Sequence, residues 1–220
     1  MRIGVLRETA PGERRVAVIP ATVQRLVKQQ HEVLVERGAG TSAFFPDSQY
    51  QDAGARVVDS AAAVLEGAEV VLKVQRPSLE EIGRLRAGSI LVSLLAPHAS
   101  AAELKALAER KVTALALELV PRTTKAQAMD ILSSQATVAG YQAVLLGATK
   151  LGRILPMLTT AAGTLTPAKT FIIGAGVAGL QAIATARRLG AVVSAFDVRP
   201  VVKEQVQSLG ATFVEVDAAA

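Results

Sequence analysis

The sequence predicts an α/β protein built from two parallel-sheet domains, and three observations carry that prediction. Short β-type runs alternate with helical patterns along the chain, the arrangement that wraps a parallel sheet in helices. Half of the 220 residues are hydrophobic, enough to bury a sizeable core. A six-residue glycine pattern lies between an apolar run and a helical one in TFIIGAGVAGLQAIATARRLGAVVSAFD, residues 170–197, where such a sheet opens onto a dinucleotide.

The elements follow in order. Ile3 to Leu6 reads as a strand before a helix over Ala21 to Gln30, and Glu32 to Glu36 as the next strand. Val70 to Val74 precedes a helix over Leu79 to Leu85, Ser89 to Leu94 precedes one over Ala101 to Glu109, and Val112 to Leu117 is a further strand. Residues 1–125 therefore make a first α/β domain. Residues 126–168 form a connection: a helix from about Met129 to Lys150, with Ile131, Leu132, Val138, Tyr141, Val144 and Leu145 near helical spacing, and then RILPMLTTAAGTLTPAK. There Pro156, Gly163 and Pro167 punctuate β-branched residues, which suggests a hairpin arm. Residues 169–220 read as strand, helix Val177 to Leu189, strand to Asp197, helix Val201 to Leu209 and strand Thr212 to Val216. A nucleotide-binding sheet is ordinarily built from two βαβαβ halves, and only the first is present. The ending Val216 to Ala220 therefore reads as a truncation, and the fold class as two Rossmann-like domains with the C-terminal half of the second absent.

Composition excludes several functions. The formal charge of +5 is spread along the chain and only two Tyr and five Phe are available for base stacking, so no nucleic-acid partner is expected. With no cysteine and two histidines, neither a metal site nor a thiol nucleophile is expected. His31, at a helix-to-strand turn, reads as structural. The uncharged stretches Ile131 to Thr149 and Thr170 to Ala186 approach membrane length, but the first carries Ser133, Ser134, Gln135, Thr137 and Gln142 and the second is the glycine turn itself, so no span is expected. Met1-Arg2-Ile3-Gly4 opens no signal-peptide pattern, which points to a cytoplasmic protein.

The glycine pattern has a specific physical reading. Gly174 permits the tight turn out of the strand, Gly176 lets the backbone approach a pyrophosphate, and Gly179 lets the helix lie close on the sheet. The helix starting at Val177 and Ala178 points free N–H groups and the positive end of its dipole at the phosphates. Asp197, eighteen residues after Gly179, is placed to accept hydrogen bonds from both ribose hydroxyls and to repel a 2′-phosphate, which favours NAD over NADP. Arg199 completes this candidate set. A bare GxGxxG also describes a glycine-rich turn, and the flanking strand, helix and second strand distinguish the two.

A second stretch, VPRTTKAQAMDILSSQATVAGY over residues 120–141, gathers Arg122, Lys125, Gln127, Asp130, Ser133, Ser134 and Gln135 between a strand and a helix. Asp130 there suits a helix cap, with the rest solvated. A loop at the C-terminal end of a strand is equally where α/β proteins place ligand contacts.

PRTTKAQAMDILSSQATVAGYQAV resembles, almost residue by residue, the loop and helix of the NAD(H)-binding component of proton-translocating NAD(P) transhydrogenases, called domain I or the α subunit. The resemblance extends through RIGVLRETAPGERRVAVIPATV, GAEVVLKVQRP, LVSLLAPHA and RRLGAVVSAFDVRPVVKEQVQSLGATFVEV. It implies that Arg122, Gln127, Asp130 and Ser133 hold the nicotinamide and its ribose. It also implies hydride transfer between NADH and NADP⁺ held by a partner subunit and coupled to proton translocation, a homodimer to which the Arg153 to Lys169 arm contributes, and partners comprising an NADP(H)-binding domain and a transmembrane subunit. Attachment to the membrane would be peripheral. Hydride transfer between two nicotinamides needs no acid or base, because neither ring loses a proton, so no catalytic residue is assigned.

Alanine dehydrogenase shares both domains and the opening pattern. Arg15 and Lys73 match positions that bind the oxo acid in that family, but its catalytic histidine falls on Ala96, and DILSSQ replaces its motif. Arg15 and Lys73 then read as structural charges. A catalytically silent NAD-binding or assembly module is the third alternative.

Overall fold

The computed structural model describes residues 1–215. The chain divides into two compact units, Met1–Asp130 and Ile131–Ala220.

In the first unit β1 (Arg2–Val5), α1 (Pro20–Lys28), β2 (Glu32–Glu36), α2 (Asp47–Asp52), β3 (Arg56–Val58), α3 (Ala61–Gly67), β4 (Val70–Leu72), α4 (Leu79–Arg84), β5 (Ile90–Ser93), α5 (Ala101–Glu109) and β6 (Thr113–Ala116) alternate along the chain. The six strands form one parallel sheet in the order β3-β2-β1-β4-β5-β6. That order reverses between β1 and β4, which opens a crevice at the strands' C-terminal ends. Local sequence explains the helix starts. Pro20 occupies the first turn of α1, where its missing N–H costs nothing, and Ser78 and Glu81 form a reciprocal capping box on α4. Val5 and Leu6 are both fully buried but join different apolar clusters, as successive side chains leaving a strand in opposite directions do.

The segment between β2 and β4 has more structure than its sequence suggests. α2, β3 and α3 have six, three and seven residues, too short to develop a hydrophobic period. Burial stabilises them: Tyr50 of α2 is fully buried and donates its hydroxyl to the Val18 carbonyl at 2.8 Å.

The second unit contains α6 (Ile131–Lys150), the antiparallel hairpin β7 (Leu158–Thr160) and β8 (Gly163–Leu165), then β9 (Lys169–Ile173), α7 (Val177–Arg188), β10 (Val192–Phe196), α8 (Lys203–Ser208) and β11 (Thr212–Phe213). Its parallel sheet runs β11-β10-β9 among the described residues. Ile183, Ala186, Val193, Ala195 and Val206 form its core, with Val144 of α6 packed against them. Three expected boundaries move. Met129 belongs to a separate 3₁₀ turn, Gln127–Met129, because Asp130 is extended (ψ 91°) and interrupts the helix. Pro200–Val202 likewise form a 3₁₀ turn, so the last helix starts at Lys203 and not at Val201. Of the expected strand from Thr212 to Val216, Thr212 and Phe213 are paired with β10, and Val216 lies outside the described residues. Among the described residues no helix is long and apolar enough to cross a membrane.

Candidate functional site

The glycine pattern falls between β9 and α7. Gly174 has φ +92°, a left-handed conformation that a side chain would strain. A β-carbon at residue 179 would fall inside the van der Waals envelope of the Gly174 carbonyl oxygen, so the first turn of α7 lies on the strand's exit only because residue 179 has no side chain. At Gly174 and Gly176 a β-carbon would meet open space, and Gly176 and Val177 are exposed. That space leaves the backbone of the turn open to a ligand. Leu180 N–H reaches the Gly176 carbonyl at 2.8 Å as the helix's first bond, which leaves the N–H groups of Val177, Ala178 and Gly179 as first-turn donors.

Asp197 follows β10 directly and turns back to the same loop. Its Oδ2 accepts the Ala175 N–H at 2.7 Å. Arg199 supplies three more donors: its backbone N–H to Oδ1 at 2.8 Å, Nε to Oδ1 at 3.0 Å and Nη2 to Oδ2 at 3.1 Å. The Asp197 side chain is 6% exposed and the Arg199 side chain 56%, so the guanidinium lies over the carboxylate. The Arg199 guanidinium, followed by the N–H groups of Ala175 and Arg199, holds the Asp197 carboxyl well below the usual carboxylate range, and it stays ionised at any physiological pH. Position in the sequence anticipates Asp197 but not the Ala175 N–H, which ties the acid to the glycine loop.

α6 crosses α7 in close contact. Gly140 is buried, and a β-carbon there would overlap the Ala178 carbonyl oxygen. Ser133 stands seven residues earlier on the same helix face, about 10 Å towards the start of α6 at 1.5 Å per residue. It is half-buried. Arg122, Gln127 and Asp130 belong to the first unit. Thr123 N–H to Pro121 O and Ala126 N–H to Thr123 O, at 2.9 and 3.0 Å, fold their loop around the buried Ala126. Arg122 and Gln127 are exposed and Asp130 is half-buried. The structure thus brings Gly174, Ala175, Gly179, Asp197 and Arg199 together, and builds the Arg122 to Asp130 loop separately.

The C-terminal ends of β1 and β2 carry a polar cavity of about 350 Å³, lined by Arg7, Glu8, Thr9, Glu13, Arg15, Ala39 and Ser42. Arg15 and Glu13 form an ion pair within it. Arg15 donates to both oxygens of Glu13 at 2.8 and 2.7 Å, and Gln75 donates to Glu13 at 2.7 Å. These contacts, led by Arg15, hold the Glu13 carboxyl down to about 2. Glu8 accepts Val74 and Gln75 N–H groups, but burial outweighs them and raises its pKa. The buried Lys73 donates to Glu81 at 2.6 Å. Nothing in the sequence pattern pairs Lys73 with Glu81 or Glu13 with Gln75, because these contacts depend on the fold. Ala96 is exposed in a left-handed turn, φ +47°, where Glu118 accepts its N–H and that of Leu95. His98 is exposed beyond it. Among the described residues no group of three or more His, Asp or Glu is arranged to hold a metal ion.

Comparison with known proteins covers nearly the whole chain. Residues 4–139 match the family model for the alanine dehydrogenase/PNT N-terminal domain, and residues 143–220 the model for its C-terminal domain. The chain is 49% identical over 222 aligned residues to an NAD(P) transhydrogenase subunit alpha polypeptide of Rhodospirillum rubrum, an alignment that covers 99% of this chain and 58% of that protein. It is 38% identical over 201 residues to alanine dehydrogenase of Mycobacterium tuberculosis, over 90% of this chain and 54% of that protein. A crystal structure of transhydrogenase from Sinorhizobium meliloti superposes with a TM-score of 0.95 at 50% identity, over 99% of this chain and 62% of the other. The chain therefore spans about three-fifths of the length of these two transhydrogenase relatives. With both domain models matched over nearly the whole chain, the chain belongs to the alanine dehydrogenase/PNT family.

Proposed function

We propose that this chain is the NAD(H)-binding part of a proton-translocating transhydrogenase, holding NADH for hydride transfer to NADP⁺ on a partner subunit. The observation that carries the reading is the closed arrangement of Gly174, Ala175, Gly179 and Asp197, in which the acid that would receive a ribose is bonded to the loop that would receive the phosphates. Bound NADH supplies the hydride. The chain's own residues would bind and orient: the N–H groups of Val177, Ala178 and Gly179 would hold the pyrophosphate, and Asp197 would take the ribose hydroxyls. Arg122, Gln127, Asp130 and Ser133 position the nicotinamide and its ribose through amide, carboxylate and hydroxyl hydrogen bonds. No residue is required to move a proton.

The relatives' names, which describe an alpha subunit of NAD(P) transhydrogenase, support partner subunits; the resemblance of the sequence adds that these would carry NADP(H) and cross the membrane, with this chain peripheral on the cytoplasmic side. The exposed apolar residues of the arm, Met157, Leu158 and Leu165, support its contribution to a homodimer. Pairing of Arg15 with Glu13 and of Lys73 with Glu81, together with Ala96 in place of a histidine, weighs against oxo-acid chemistry. The test is an assay of the full polypeptide with an NADP(H)-binding partner. NADH-dependent reduction of an NADP⁺ analogue only in the partner's presence is expected. NADH oxidation that depends on pyruvate and ammonia would establish alanine dehydrogenase instead, and NADH binding with neither activity a silent module.

A further inference from the structure

A carboxylate offers two oxygens and about four acceptor positions. On Asp197 all four are taken: Ala175 N–H and Arg199 Nη2 on Oδ2, Arg199 N–H and Nε on Oδ1. A ribose diol needs two of them. The two backbone donors are fixed by the loop, whereas the guanidinium is a flexible, mostly exposed side chain lying over an otherwise covered carboxylate. Only the guanidinium can leave without unfolding the turn.

We infer that Arg199 is a built-in competitor for the ribose: cofactor binding displaces its guanidinium from Asp197, and Arg199 thereby limits how strongly the site prefers NADH to NADPH. This rests on the reading of Asp197 as the ribose acceptor. The carboxylate alone would repel a 2′-phosphate. The guanidinium, paired with Asp197 at 3.0 Å before binding and tethered two residues away after displacement, keeps positive charge beside the acid, and that repulsion is muted. The displaced fork, two residues along the chain, also remains in reach of a phosphate carried on the same ribose, and a planar guanidinium binds phosphate through paired N–H groups.

The experiment is calorimetric titration of the full polypeptide with NADH and with NADPH, using the unaltered protein, Arg199→Ala, Arg199→Met and Arg199→Lys. Removing the guanidinium is expected to tighten NADH binding about two- to fivefold, the range for losing a partly exposed ion pair. NADPH binding weakens in the same variants, so the preference for NADH rises. Arg199→Lys, which keeps the charge without the fork, falls between. Unchanged or weaker NADH binding in both Arg199→Ala and Arg199→Met, with melting temperatures preserved, overturns the proposal. Asp197→Asn, titrated in parallel, separates the two levels: if it leaves NADH binding unchanged, the ribose assignment itself fails, whatever the Arg199 variants do.

Discussion

Gly179 and Gly174 touch backbone to backbone: the carbonyl oxygen of Gly174 occupies the place that any β-carbon on residue 179 would need. Gly179→Ala is therefore expected to push α7 off the end of β9. Overpacking of this kind costs about 1–3 kcal/mol, and here it also spoils the loop that faces the phosphates. Thermal unfolding should show the loss of stability, and NADH titration a loss of binding; a variant with native stability and native affinity would refute the close-packing role.

Asp197 faces the loop from the next strand. Asp197→Ala removes a charged acceptor and leaves the Ala175 N–H without its partner, so NADH affinity should fall about ten- to a hundredfold, the range for hydrogen bonds to a charged group. Titration of NADH into the variant measures this directly.

The Gly140 contact tests the second unit independently of any cofactor. Gly140→Ala would drive a methyl group into the Ala178 carbonyl and separate α6 from α7, with a destabilisation of about 1–3 kcal/mol. Chemical denaturation would read it as a lower midpoint. Gly147→Ala on the same helix, where a β-carbon meets open space, serves as the control and is expected to stabilise by about 0.5–1 kcal/mol through helix propensity.

Gln127 is exposed on its loop, and its proposed part is to orient the nicotinamide through one hydrogen bond among the many that would hold the cofactor. Gln127→Ala should therefore leave NADH binding nearly unchanged while slowing hydride transfer about a hundredfold, the order expected from misplacing reacting atoms by an ångström. Stopped-flow transfer to an NADP⁺ analogue on the partner subunit, beside an equilibrium titration, separates these effects.

Glu13 supplies the pH prediction. Its carboxyl is lowered from 4.5 to about 2 by Arg15 and Gln75, so it is the ionised form that the folded chain favours. Its contribution to stability is complete above pH 4.5 and is lost as pH falls towards 2. Unfolding measured across that interval should be less pH-dependent in Glu13→Gln than in the unaltered chain. Glu8, whose pKa burial raises, acts in the opposite sense: its contribution is present below pH 4.5 and fades as pH rises through its folded value.

The elements legible in the sequence were those with a local cause. Glu32–Glu36 and Ala101–Glu109 have the bounds their patterns predict, because a strand's apolar run and a helix's spacing are written in consecutive residues. α2, β3 and α3 were not legible, since elements of three to seven residues depend on what they are packed against. The same division holds at the site. Gly174, Gly179 and Asp197 stand at spacings that chemistry constrains, whereas the Ala175 N–H, the Arg199 fork and the Gly140 contact are meetings across space.

Consecutive residues were thus sufficient for the alternation of strands and helices, the glycine turn and the acid two elements later, because hydrophobic period and backbone freedom are properties of chain neighbours. Folding in three dimensions decided that Asp197 is already fully bonded, that Arg15 and Lys73 each hold a carboxylate, and that the close approach of α6 to Ala178 of α7 needs a glycine at residue 140. Hydrogen bonds and close contacts depend on distances between elements, and those exist only once the chain has folded.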